Sequence, residues 1–365
     1  MPYMDSEQIK NISEHSIKSL NNGKITNNGY IVGKYYDSIW FIGAPAIAFI
    51  SALVFHSTAI SEKVLFAGTV NSQTVYNLFI GSFIMAHLFA VFFRSHLNPQ
   101  IFKLHPIRFI VIPIALILSM TVSLWAAVFF SVLATWWDVY HSGLQTFGLG
   151  RIYDSRVGND HKAGRRLDYL LNILIYAGPI LAGATLMNHA KDFQTFEKVN
   201  FTTLSILPIK IFNHRDDLTL FVFFIGIPFI LYYLYSYWKL HKAGYVFSTK
   251  KVILFALTAV VSITCWGFNS FGEAFFIMIF FHAWQYLAII WHFEEKTITK
   301  TFRQTNIKNG KFISLTLFII VVFAYGAFAT LVSDDNNFLY AVILTVSILH
   351  FWYDGFIWSV KKKQV

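Results

Sequence analysis

Apolar and polar positions fall in long alternating blocks along the chain, and the apolar blocks have the length of membrane-crossing helices. Apolar runs cover about Ile39 to Phe55, Val75 to Phe93, Tyr169 to Met187, Leu218 to Trp238, Val252 to Phe268, Gly272 to Phe293, Phe312 to Val332 and Asn337 to Val360. About 20 such residues at 1.5 Å each cross about 30 Å of hydrocarbon, so each run predicts one span. The stretch from Ile107 to Gly150 is too long for one, because as a single helix it would reach about 66 Å. A break within "LSMTVS", Leu118 to Ser123, divides it in two. The expectation is all-α: a polytopic membrane helix bundle of about ten transmembrane helices forming one domain over 38–360. A polar, mobile tail over 1–37 and a basic tail over 361–365 flank it.

Composition agrees with a membrane chain. Hydrophobic residues make up 56% of the sequence and charged residues 13%, about half the charged share of soluble domains. The first 37 residues have no apolar stretch and do not read as a cleaved signal peptide. With one cysteine, Cys265, no internal disulfide and no cysteine-based zinc site can form.

The net charge of +10 is explained by topology. Ten spans with the C-terminal "KKK" inside put all but five of the 29 basic residues on that face, the exceptions being Lys63, Lys191, Lys198, Lys210 and Arg215. This asymmetry is the positive-inside pattern and sets both termini on the cytoplasmic side. Nine spans would move the N-terminal tail and the Arg94 to Arg108 segment outside. A basic rim against anionic lipid accounts for the charge without nucleic acid, with Arg151, Arg156, Arg165 and Arg166 expected at headgroups.

Polar side chains inside a span are expensive and mark candidate sites. His87, His141, His282 and His350 lie well inside the second, fourth, eighth and tenth spans, all of which run from outside to inside. Their distances from the inner helix ends place them in one slab less than about 10 Å deep. Three bring a polar partner three or four residues away, hence on the same helix face. These are Asp138 with His141, His282 with Gln285, and His350 with Asp354, and Gln145 extends the first pair by a turn. Inward imidazoles and carboxylates are how helical bundles build metal sites. The expected ligands are therefore His87, His141, His282 and His350, joined by His292, ten residues after His282 and nearly on its face. Asp138, Gln145, Gln285 and Asp354 are the expected reactive or orienting groups.

An imidazole-rich site with carboxylates suits iron, zinc, copper or nickel and does not suit magnesium or calcium. Non-haem iron leads: an oxygenase, hydroxylase or desaturase-like oxidoreductase acting on a hydrophobic small molecule, with an electron-donor protein as partner. Membrane desaturases and hydroxylases resemble this chain in being His-rich with a cytoplasmic metal site. Their H-x-x-x-H and H-x-x-H-H boxes are missing, since no two histidines here are closer than nine residues. A carotenoid-cleaving membrane oxygenase is another histidine-based comparison, without motifs that match residue by residue. Haem held by a pair such as His141 and His282 is the first alternative. A cation or proton transporter, with Pro45, Pro113, Pro179 and Pro228 breaking helices, is the second. Nucleotide, triad-hydrolase and zinc-protease motifs are absent. The expected location is a bacterial inner membrane, as a multi-pass protein.

Overall fold

The computed structural model describes residues 29–57, 72–268, 274–332 and 336–358, without the side chains of 54–57, 72–77 and 80. The tail over 1–28 and the basic end over 359–365 lie outside the described residues. Among those described the secondary structure is helical and no strand occurs.

In chain order the helices are α1 (Lys34–Asp37), α2 (Ala44–Ser57), α3 (Ser72–Ser95), α4 (Pro99–Leu104), α5 (Pro106–Val122), α6 (Leu124–Arg156) and α7 (Arg165–Leu181). They continue as α8 (Leu186–Ala190), α9 (Thr202–Ser205), α10 (Leu207–Asn213), α11 (Arg215–Lys242), α12 (Thr249–Ser262), α13 (Ala274–Thr301), α14 (Gly310–Leu331) and α15 (Asn337–Ile357). Among the described residues, five helices can cross a membrane by length and composition: α11, α12 with its extension to Phe268, α13, α14 and α15. The number rises to eight if each of three bent pairs is one span. The chain is thus a membrane-embedded helical protein.

The sharpest bend, 120°, separates α5 from α6. It falls at Ser123, whose extended backbone ends one helix while its hydroxyl accepts the Ala126 N–H and starts the next. The break expected within Leu118 to Ser123 is therefore an N-cap.

Helix α13 is central, with 78% of its apolar stretch buried, whereas α11 has 6% and turns residues such as Phe224 and Leu231 outward. So much exposed apolar surface marks a face toward a membrane or another protein. Helix α3 packs against α13, α14 and α15, and α6 packs against α5, α7, α12 and α15. The α3 and α14 backbones meet closely because Gly326 faces Ser82, where a Cβ would collide with the Ser82 carbonyl. Small residues allow such approaches in membrane bundles. Gly326→Ala is expected to lower the apparent melting temperature by several degrees in detergent, corresponding to about 1–3 kcal/mol of overpacking; an unchanged melting curve would contradict this contact.

Two readings of the sequence need correction. Residues 29–37, grouped with the mobile tail, are packed: the Asp37 carboxylate accepts the backbone N–H groups of Ile31, Val32 and Gly33 and the Tyr153 hydroxyl. The rim of free basic residues is also incomplete. Arg151 is buried and bridges Asp154 at 2.6 Å and Asp168 at 2.8 Å, and Lys251 reaches the same two carboxylates at 2.9 and 3.2 Å. The hydroxyls of Tyr237 and Tyr245 donate to Asp168 and Asp154. Opposite charges near one another let the bundle bury what a sequence count assigns to lipid headgroups.

Candidate metal centre

Helices α3, α6, α13 and α15 each contribute one buried histidine to a common point: His87, His141, His282 and His350, at most 3% exposed. Ring centroids are 5.1 Å apart for His87 and His282 and 5.0 Å for His87 and His350. They are 5.0 Å apart for His141 and His282, 4.7 Å for His141 and His350, and 6.2 Å for His282 and His350. A nitrogen held about 2.1 Å from an ion puts its ring centroid about 3.2 Å away, so two rings sharing the ion stand about 4.5 Å apart at a right angle and about 5.2 Å at the tetrahedral angle. Four separations fall in that interval. The fifth corresponds to an angle of about 150° at a shared ion, so His282 and His350 face each other across the point, and His87 and His141 fall into separate donor groups that share His350.

The donor atoms are free to ligate. Both ring nitrogens of His87, His282 and His350, and Nε2 of His141, are buried without a hydrogen bond of acceptable geometry; the Ile84 backbone approaches His87 without meeting that standard. Buried polar atoms are normally paired, so this many orphans at one place mark a candidate binding site. Donor atoms from His87, His282 and His350 lie within 4.8 Å of one another, as do those from His141, His350 and Asp354.

Asp354 completes the centre. Its Oδ1 accepts from the Tyr286 hydroxyl at 2.8 Å and from Trp358 Nε1 at 2.9 Å, while Oδ2 stands 3.6 Å from His141 Nε2. Two donors hold one oxygen and leave the other toward the imidazole, an arrangement that orients a ligand histidine and raises its basicity. Asp354→Asn is expected to weaken metal binding 10–100-fold with the fold intact, read by titrating chelator-stripped protein with metal; unaltered affinity would remove Asp354 from the centre.

Below the histidines, Arg94, two turns after His87, pairs with Glu294 at 2.7 Å and donates to the Ile357 carbonyl at the end of α15. Asn98 donates to both oxygens of Glu294. This lock ties together three of the four ligand-bearing helices. Nothing in the sequence pairs Arg94 with Glu294, 200 residues away.

The remaining expected residues separate by role. Gln145 Nε2 donates to the His282 carbonyl and to Gln285 Oε1, both at 3.0 Å, and Gln285 Nε2 donates to the Phe41 carbonyl. The two amides brace α6, α13 and the segment before α2. Asp138 belongs to neither ligand group; it lines a cavity of about 390 Å3 on the far side of the histidines from the basic face. His292 lies outside both donor groups. Ten residues of helix carry it about 15 Å along the axis from His282, and its ring packs against Tyr36 and Phe293.

No protein-family model matches the chain, and neither a curated protein nor a solved structure is detectably similar to it. The centre itself carries the functional argument.

Proposed function

We propose that the chain is a membrane-bound, non-haem iron oxidoreductase that uses dioxygen on an apolar substrate. The observation that carries this reading is that four buried histidines with unpartnered ring nitrogens, one from each of four helices, fall with Asp354 into two donor groups that share His350. The donor set is all imidazole with one carboxylate beside it, which excludes magnesium and calcium on ligand hardness. The four closer pairs correspond to angles between a right angle and the tetrahedral one and the fifth pair to a much wider angle, a spread that departs from the closed tetrahedron of structural zinc and would suit iron with open positions. Iron in such a site supplies dioxygen activation for oxidising a C–H or C=C bond.

The chain's residues do the rest. The four imidazoles would hold the ion, in the two donor groups that share His350. Asp354 orients His141 and offsets cationic charge. Tyr286 packs on the His350 ring and Phe351 on the His141 ring, and both keep water out. The cavity reaches within one helical turn of the ligands, since Asp138 and Ser142 flank His141 and Met278 precedes His282 by four residues. An electron-donor protein belongs to this reading where one oxygen atom leaves as water, because that stoichiometry consumes two external electrons.

Haem fits less well. The 6.2 Å separation of His282 and His350 suits two axial ligands, but His87 and His141 occupy the plane a porphyrin would need. The finer topology belongs to the same proposal: ten crossings, both termini on the cytoplasmic side of a bacterial inner membrane, and lipid on every outer face.

Metal analysis and an absorption spectrum of protein purified in mild detergent test the reading. Near-stoichiometric iron without a Soret band is the expected result. A Soret band would replace it with haem, and metal-free protein that takes up no iron on reconstitution would refute it.

A further inference from the structure

Besides the histidines themselves, the rings in contact with the four imidazoles are those of Tyr286 and Phe351. Of the two, only the phenol of Tyr286 has a hydrogen that leaves readily as a proton. Tyr286 is 1% exposed. Its ring centroid stands 4.4 Å from that of His350, 6.2 Å from His87 and 6.5 Å from His282. Its hydroxyl donates to Asp354 Oδ1 at 2.8 Å.

Trp358 donates its Nε1 hydrogen to the same oxygen at 2.9 Å, with its ring 6.5 Å from that of Tyr286. It follows Ile357, the last residue of α15, and is partly exposed. Two side chains that one-electron oxidants attack thus stand in series between the imidazoles and the surface, joined through one carboxylate oxygen. Holding Asp354 requires only two hydrogen-bond donors, which serine or asparagine also supplies. A buried ring that loses an electron alone becomes a cation in surroundings that solvate it poorly, whereas a ring that also loses its proton stays neutral. Asp354 Oδ1 is placed to take that proton from either residue. At Trp358 the need is greater, because the Arg94 guanidinium lies 3.8 Å over its ring; a cation is attracted to a neutral indole face and repelled by an oxidised one.

We propose that Tyr286 and Trp358 form a one-electron relay between the metal centre and the surface at the end of α15, with Asp354 holding the proton that accompanies the electron. The inference rests on the iron reading of the centre and names the route by which the donor protein's electrons enter. The step balances with hydrogen peroxide as oxidant. Its O–O bond breaks and two waters form, taking two electrons and two solvent protons. Ferrous iron gives one electron and becomes ferric, and Tyr286 gives the other while its O–H bond breaks and the proton passes to Asp354 Oδ1. Trp358 then gives an electron to the Tyr286 radical. Its Nε1 proton goes to Asp354 as the proton held there returns to the Tyr286 oxygen. An electron from the donor protein restores Trp358, which takes its proton back from Asp354.

The test uses full-length protein in mild detergent, stripped with chelator, loaded to saturation with ferrous ion in the absence of air, mixed with hydrogen peroxide and frozen at once for electron paramagnetic resonance. The wild type is expected to give a free-radical signal that narrows when the protein is made with ring-deuterated tyrosine. Tyr286→Phe is expected to lose that signal, measured per bound iron. Trp358→Phe is expected to make it outlast that of the wild type, because the residue that refills the tyrosine is gone. Iron-loaded wild type without a radical would overturn the relay. So would a signal that persists in Tyr286→Phe, the mark of peroxide damage spread over other tyrosines, or a wild-type lifetime in Trp358→Phe, which would leave Trp358 as a support for Asp354 only. If Tyr286→Phe does not fold, the deuterated wild type decides, and a signal of unchanged shape overturns the relay. Protein that takes up no iron would defeat the oxygenase reading and the relay together, whereas iron-loaded protein without the radical defeats the relay alone.

Discussion

Replacing His350 by alanine is expected to empty the metal centre. His350 belongs to both groups of converging donors, one with His87 and His282 and the other with His141 and Asp354, and its ring touches those of His87, His141 and Tyr286. Removing an orienting partner of a ligand typically costs 10–100-fold in metal affinity, and removing the most connected ligand is expected to cost more than about 100-fold. Bound metal per chain should fall to background after dialysis, while elution volume in detergent stays that of the wild type. The space left by the imidazole destabilises the fold by a few kcal/mol at most, so an unfolded His350→Ala protein would call for His141→Gln, which retains bulk, as the deciding variant. Metal content equal to the wild type in a folded His350→Ala protein would sink the four-histidine centre.

Lys251→Met is expected to give the largest loss of stability, with bound metal unchanged in the protein that remains folded. Lys251 is 2% exposed and is held by Asp154, Asp168, Tyr237 and Tyr245. Without its ammonium, two buried carboxylates face each other with Arg151 alone to balance them. Removing one partner of a buried ion pair costs about 3–5 kcal/mol, because the charge left behind stays desolvated. A drop of roughly 10 °C in apparent melting temperature follows at this chain length. Lys311→Met is the control. Its ion pair with Glu295 is shorter, 2.6 Å, but 66% of the lysine side chain is exposed, and solvated pairs contribute about 0–1 kcal/mol. Similar small shifts for both variants would show that the buried cluster does not hold the helices.

The periodicity that places residues on a helix face also placed four histidines at one depth, and the structure brings those four together. Same-helix partners were less reliable, because a shared face says which way two side chains point and not what they meet. Asp354 meets His141 across the helix interface, not its own neighbour's ligand position alone, and Asp138, on the same stripe as His141, turns to the cavity. Gln145 and Gln285 look like site residues by spacing, yet each finds the other and a backbone carbonyl. Tyr286 carried no signal in the sequence beyond being one aromatic among many, and it holds Asp354. The nearest available clue to the buried charge cluster was Lys251 at the start of an apolar run, which positive-inside counting assigns to the rim.

The sequence by itself determined that this is a helical membrane protein and where its apolar segments begin and end, because the cost of leaving backbone polar groups unpaired in hydrocarbon admits few other structures. It also determined which helices carry an imidazole and at what height, because rise per residue is fixed by helix geometry. Which histidine stands beside which, which carboxylate joins them, and which charges are buried in pairs were decided only by tertiary packing. Those relations hold between residues as much as 263 positions apart, such as Arg94 and Ile357, and no local rule of spacing or propensity reaches across separate helices.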